Sequence, residues 1–309
     1  RFSGRGMQER DEAIGCGDPQ GYAGGGRREI LVKDDFHHLV VLDPYSTPAL
    51  QPLFRHRGNH GRFPWIGDVD GDGKDELLAG YSFIDDNGKS AWSLPLGGFA
   101  EAVAVIDPLS PEGENKRIFL ACGDEGLIVL NVPGARHSGQ EIDRPRVRLA
   151  PASRLSVAKF RADLPGLQIA ALSSPETGSI VRLYDATAKL LWSKELAQAG
   201  AMLTLVNWSG GGEELMLLSM APGSGLLSGR GTVAVEAPAS GPCLWCDTSR
   251  AFCGDGRDAI VAWDSQQLAV YLPDDAPLTS TVYRPKRLGS ESASNFRAQV
   301  SVPAEWNKF

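Results

Sequence analysis

Three observations predict an all-β fold, specifically a β-propeller of about seven four-stranded antiparallel blades. The 309 residues include 36 Gly and 20 Pro, above the roughly 12% that these two residues usually contribute. That composition disfavours a helical bundle and suits short strands joined by turns. Short apolar runs recur throughout, and with 42% hydrophobic residues the chain is too apolar to be disordered. The runs also group into copies that start near residues 14, 65, 103, 156, 203 and 244. A repeat of about 40–50 residues with four strands per copy marks propeller blades. Residues 281–302, with a loop at Ser290–Asn295, are expected to complete the ring with the N-terminal part, so a single domain spans 1–309.

The second copy is the clearest. A strand ending at Gly67 leads through an acidic, Gly-rich loop to strands at Glu76–Gly80 and Ser82–Asp85. An Asn87-Gly88 turn, suited to the positive φ of tight hairpins, precedes a last strand through Trp92 to Leu96. In the first copy, strands are expected at Arg28–Lys33 and His38–Asp43. In the fifth, Leu203–Val206 and Glu214–Leu218 are followed by Gly231–Val235. Trp92, Trp192 and Trp263 fall at strand positions and are expected between blades.

The formal net charge is −7. Without a basic stripe the chain lacks the footprint of a nucleic-acid binder. No apolar stretch reaches the ~18 residues of a membrane span. The chain opens at Arg1 without a signal-type apolar core, as a mature product or a piece of a longer chain would. A monomer is expected.

Asp68, Asp70, Asp72 and Glu76 occupy positions 1, 3, 5 and 9 of the acidic loop, with Lys74 at position 7. Alternating carboxylates on a turning chain converge, and with the Lys74 carbonyl they offer the hard oxygens that Ca²⁺ takes. No Glu stands at position 12, so this is not an EF-hand. The loop is expected to brace its blade. Cys243, Cys246 and Cys253 make an incomplete zinc set, which leaves a local disulfide between the last two or buried thiols.

The run Gly58-Asn-His-Gly-Arg-Phe-Pro-Trp-Ile-Gly-Asp-Val-Asp-Gly-Asp-Gly-Lys-Asp-Glu-Leu-Leu-Ala-Gly-Tyr81 resembles the blade pattern of propeller polysaccharide lyases. The groups it resembles are the rhamnogalacturonan lyases of family 11 and the related ulvan and rhamnosyl-glucuronate lyases. Arg28-Glu-Ile-Leu-Val-Lys-Asp-Asp-Phe-His-His38 and Ser294-Asn-Phe-Arg-Ala-Gln-Val-Ser-Val-Pro303 also look like that group. The acidic loop alone is shared with FG-GAP repeats of non-catalytic propellers, so a carbohydrate- or protein-binding propeller is the alternative reading.

The resemblance implies an extracellular or periplasmic enzyme that cleaves an acidic, uronate- and rhamnose-containing polysaccharide by β-elimination. That chemistry needs a group to neutralise the carboxylate, a base for the C5 proton and an acid for the departing O4. In a propeller, connections between second and third strands open at the same end as connections between blades. His37 and His38 would then share an end with Asn59, His60, Arg62 and Tyr81. His60 and His38 are the expected proton carriers, with Tyr81 as a possible acid and Asn59 and Arg62 as carboxylate binders. His37 is expected to bind substrate, and Arg154 and Arg230 to hold flanking sugars. Where relatives often carry a further His, this chain reads Gly97-Gly-Phe-Ala-Glu101, so either Glu101 contributes or the site is degenerate. Arg55, His56, Arg57 and Arg62 form a basic patch suited to an anionic polymer.

Overall fold

The computed structural model describes residues 13–17, 29–34, 36–48, 50–69, 73–110, 113, 115–132, 147–173, 178–196, 202–221, 223–242, 245–249, 252–273, 282–288 and 298–304. Among the described residues there is no helix, and the strands form six sheets of consecutive strands.

The first sheet holds β1 (Ala13–Gly17), β2 (Glu29–Lys33), β3 (His38–Asp43) and β4 (Gln51–Arg57). The second holds β5 (Trp65–Gly67), β6 (Glu76–Ala79), β7 (Ser82–Ile84) and β8 (Ser90–Ser93). The third holds β9 (Ala102–Ile106), β10 (Arg117–Ala121), β11 (Leu127–Asn131) and β12 (Val147–Arg148). The fourth begins with β13 (Arg154–Ala158), β14 (Gln168–Ser173), β15 (Ser179–Tyr184) and β16 (Leu190–Leu196). The fifth holds β17 (Thr204–Val206), β18 (Leu215–Leu217), β19 (Gly225–Leu227) and β20 (Val233–Glu236), and the sixth β21 (Trp245–Ser249), β22 (Ala259–Trp263) and β23 (Leu268–Tyr271). The chain divides into two compact units, one holding β1–β12 and the other β13–β25.

Each sheet packs on the next within its unit. Leu31, Leu39 and Val41 of the first sheet meet Leu77, Ala79 and Ile84 of the second. Leu78, Phe83 and Tyr81 meet Val103, Ile118 and Leu120 of the third. Trp92 stacks on Phe83 at 5.4 Å between ring centroids. In the other unit Trp192 packs against the core shared by the fourth and fifth sheets. The first or second strands β6, β9 and β14 are therefore buried on both faces. All five residues of β9 are buried, whereas β20 is mostly exposed.

A buried acid or amide opens the second strands β6 and β14 and directly precedes β22, and it is buried for a reason. The turn that follows a first strand carries main-chain N–H groups that need an acceptor. Glu76 Oε2 takes the Val69 N–H at 2.7 Å. Gln168 Oε1 takes those of Phe160 and Arg161 at 2.9 and 2.8 Å, and Asp258 Oδ2 takes that of Asn207 at 2.7 Å.

Two expectations need correction. The third strand of the fifth sheet is β19, a short Gly-Leu-Leu run without β-branched residues, and the run after Gly231 supplies the fourth. Among the described residues the C-terminal hairpin of β24 (Lys286–Leu288) and β25 (Gln299–Val302) does not pair with the chain's N-terminal strands. It adds to the fourth sheet, with β25 parallel to β13. Polar ties hold it there: Gln299 Oε1 accepts the Leu205 N–H at 2.6 Å, and Arg287 pairs with Glu214 and, at 2.7 Å, with Asp258. The Ser290–Asn295 loop lies outside the described residues.

One close approach positions everything that follows. Gly80 has φ 56° and Gly61 φ 59°, the left-handed region that favours glycine. A Cβ on Gly80 would lie 2.3 Å from Gly61 N and 2.4 Å from His60 C. The backbone at 60–61 therefore lies directly on the turn between β6 and β7. Gly98 has a similar φ of 61° but open space where its Cβ would go. Gly98→Ala should thus cost about 1 kcal/mol of left-handed strain, and Gly80→Ala at least about twice that, because strain and overlap add. Equal costs in urea denaturation would contradict the contact.

Candidate functional site

Four stretches of the first unit meet at one end of its sheets. The turn between β2 and β3 is built on Asp34, whose Oδ1 accepts the N–H groups of His37 and His38, both at 2.8 Å. The connection from β4 to β5 docks on this turn, with Gly58 N–H to His37 O at 3.1 Å and His60 N–H to Phe36 O at 2.7 Å. Tyr81 N–H donates to Asn59 O at 3.0 Å, and Arg62 N–H to Ala100 O at 2.9 Å. Asn59 Nδ2 reaches Gly98 O at 2.6 Å. His37, His38, Asn59, His60, Arg62 and Tyr81 thus lie on adjoining segments, as the order of strands implies.

Strand pleat then separates two of them. Consecutive residues of a strand point to opposite faces. His38 stands opposite Arg57, while Leu39 stands opposite both Lys33 and His56. His38 and Arg57 therefore share one face, and Lys33, Leu39 and His56 the other. His38, expected with His60 as a proton carrier, thus lies on the strand face opposite His56. His38 is 55% exposed and bonds Asp34 Oδ2 through Nδ1 at 2.5 Å. Partial burial pushes the Asp34 carboxyl up, but hydrogen bonds from His38 and His37 outweigh it and hold the group at about 2. The partner of His60 is His56, with His56 Nδ1 and His60 Nε2 2.8 Å apart.

His60 is fully buried. Burial, then the neighbouring His56 and Lys33, push its ring down to about 3, so it is a neutral imidazole at working pH. Burial also lowers His56, which is only partly buried. Tyr81 is 1% exposed and packs in the core between the second and third sheets. Its hydroxyl donates to Gly97 O at 3.1 Å, and burial, then Cys122 and nearby carboxylates, hold the phenol protonated. Neither of these expected proton carriers is exposed to solvent.

Arg62 lies beside an aromatic pair. Phe36 and Phe99 stack at 4.0 Å between centroids, and the Arg62 guanidinium sits 5.7 Å from each ring. Its Nε donates to Glu101 Oε2. Ring faces and an ion pair fix a guanidinium's orientation. The Arg62 side chain remains 27% exposed, so this end presents an oriented cation to solvent. Arg55 and Arg57 are exposed on β4.

Reading the sequence alone overlooked His56 as a site residue, because it stood between two arginines and read as part of a basic patch. Its position four residues before His60 was the available signal. Phe36, Phe99 and Asp34 carried no signal of their own. Arg154 opens β13 opposite Leu172 in the second unit. Arg230 is a correction: it lies in the turn between β19 and β20, a third-to-fourth connection, which opens at the other end of a meander. There it sits 3.3 Å from Glu213 and 3.4 Å from Asp163, so it belongs to an ion cluster. Cys246 and Cys253 are free thiols rather than a disulfide, and burial pushes Cys246 up to about 12. Cys243 lies outside the described residues.

Asp70 and Asp72 of the acidic loop also lie outside the described residues. Of the remaining donors, Asp68 Oδ2 accepts the Gly73 N–H at 3.1 Å and Glu76 binds across the loop to Val69. The Lys74 ammonium turns away to Asp86 Oδ2 at 2.5 Å. Among the described residues no three metal-ligating side chains cluster. The loop's donor set, all oxygen, is the chemistry a hard cation takes.

No family model matches the chain. It is 35% identical over 85 residues to the rhamnogalacturonan exolyase YesX of Bacillus subtilis (strain 168), a match covering 26% of this chain and 14% of that enzyme. It is 40% identical over 74 residues to the rhamnogalacturonan endolyase YesW of the same organism, covering 24% and 11%. The crystal structure of YesW superposes on 96% of this chain with a TM-score of 0.57 and 22% identity. The V. cholerae biofilm matrix protein Bap1 superposes on 91%, with a TM-score of 0.57, 12% identity and 71% of that chain covered. The chain spans 53% of the solved YesW chain, about half its length. The chain is thus similar in sequence, over about a quarter of its length, to rhamnogalacturonan lyases, and it shares a fold with YesW nearly end to end.

Proposed function

We propose that this chain is a polysaccharide lyase that cleaves an acidic, rhamnose- and uronate-containing polysaccharide by β-elimination. The observation that carries this reading is the pair of sequence matches to rhamnogalacturonan lyases. The site supports it with an oriented, part-exposed guanidinium on the same segment as an imidazole pair. In the proposed reaction Arg62 binds the uronate carboxylate and so acidifies C5–H. An imidazole takes that proton near neutral pH. The C5–H electrons form the C4–C5 double bond, and the C4–O4 pair leaves on O4, which is then protonated. Asn59, tied to Gly98, keeps the Arg62 segment in place.

The six sheets are read as blades of a propeller, which their face-to-face packing supports. Asp68, Asp70, Asp72, Glu76 and the Lys74 carbonyl would hold a Ca²⁺ that braces the second blade, and the protein would work outside the cell. A second reading is a non-catalytic binding module of the FG-GAP type. The Arg62–Glu101 ion pair favours it, because a carboxylate already neutralises the guanidinium.

Incubation with rhamnogalacturonan, ulvan or glucuronan should release an unsaturated uronate, read by its ultraviolet absorbance. Arg62→Gln should lower kcat/KM by about 10²-fold or more, with thermal stability little changed. Binding to one of these polymers with no unsaturated product would leave the binding module instead. If the acidic loop holds Ca²⁺, a chelator should lower the Tm by roughly 4 °C, as the loss of a ligand near 100 times its Kd implies. An unchanged Tm would contradict the metal.

A further inference from the structure

Resting on the lyase reading, we propose that His56 is the imidazole that takes the substrate's proton and that His60 is the buried positioning residue that aims it. Two side chains of the same kind stand here in different surroundings. His60 is fully buried, so no polymer atom reaches it without local opening. His56 lies at the end of β4, partly exposed, and its Nδ1 is 2.8 Å from His60 Nε2. Gly58 keeps the pair together: a Cβ there would stand 3.1 Å from His56 Cε1, 3.4 Å from His60 Nε2 and 2.9 Å from Ser82 Oγ. A larger residue at 58 would wedge between the rings.

The role of base requires one direction of the shared hydrogen bond, which the 2.8 Å contact accommodates. When His56 Nδ1 donates to His60 Nε2, His56 Nε2 keeps its lone pair, as a base requires. His60 then carries its own proton on Nδ1, which has no hydrogen-bond partner among the described residues. After His56 Nε2 takes the C5 proton, the imidazolium keeps its Nδ1–H bond to His60, and the charge strengthens it. The electron pair of C5–H becomes the double bond and the C4–O4 pair leaves on oxygen. O4 is protonated by water, and His56 later returns its proton to solvent. The charged or titratable neighbours of the pair are Lys33 and Asp34 from the end of β2 and His37 from the following turn. Lys33 opposes a second positive charge here, which keeps His60 neutral while His56 cycles.

The test uses the whole chain, with polymeric rhamnogalacturonan as substrate. His56→Ala should lower kcat by about 10²-fold or more while polymer binding persists, and added imidazole should restore part of the rate. His60→Asn should lower kcat less, by about 10-fold, and shift the acid limb of the kcat/KM pH profile, with no rescue by imidazole. His60 should also mark stability. An unfolded His titrates near ~6.5, whereas the folded ring stays neutral to about 3. The unfolded state therefore binds the extra proton as pH falls, and stability present above ~6.5 is lost below it. His60→Asn should flatten that loss between about pH 6.5 and 5, above the range where Asp34 contributes. If His56→Ala misfolds, His56→Gln carries the same test. An active wild type with undiminished His56 variants overturns this inference and leaves the lyase reading standing. An inactive wild type overturns the lyase reading itself.

Discussion

The constraint on which the site depends is the direct backbone contact between residues 60–61 and Gly80. Neither glycine of that contact has room for a side chain, and both need positive φ. Because the connection from β4 to β5 lies flat on the turn of the second sheet, His60 is covered and His56 is not. The same contact carries Arg62 to the Ala100 carbonyl and to Glu101, and so to the faces of Phe36 and Phe99. Packing of main chain, rather than a catalytic motif, decides which groups are wet at this end.

That arrangement has a chemical consequence. A histidine held neutral and dry is a poor acid or base by itself, but it offers a neighbouring ring a hydrogen-bond partner without adding charge. A guanidinium held by a carboxylate is a weaker anion binder than a bare one, yet it is already oriented. The site therefore trades raw charge for geometry. In the other unit the same logic appears without a site. Arg287 is clamped by Glu214 and Asp258, and the buried Lys159 ammonium points at the carbonyls of Leu164 and Gly166 at 2.6 and 3.1 Å. Cations there are spent on tying turns and a C-terminal hairpin to their sheets.

Much of the strand pattern was legible because apolar runs, Gly turns and Asn-Gly signals are local. The meander from Trp65 to Trp92 and the placement of His37, Asn59 and Tyr81 at connections came from that alone. β19 was not legible: Gly-Leu-Leu carries no period and no β-branched residue. Arg230 was misplaced as a result, since one missed strand reverses which end of a meander a turn occupies. The separation of His38 from His56 was not legible either, because a strand's face depends on register, and one residue changes it. The His56–His60 pair required knowing that the intervening Gly58 leaves both rings room. The parallel seat of β25 beside β13 depends on Gln299 and Arg287 meeting partners more than 70 residues away in sequence.

The measurement that bears most directly on the central claim is a titration of isotope-labelled protein with unsaturated-end-free galacturonate–rhamnose oligosaccharides, followed by NMR. The account predicts that resonances of Arg62, Phe99 and the His56 ring shift together, while those of Arg230 stay in place. Oligosaccharide binding that moves Arg230 and its neighbours but leaves His56 and Arg62 unchanged would contradict it.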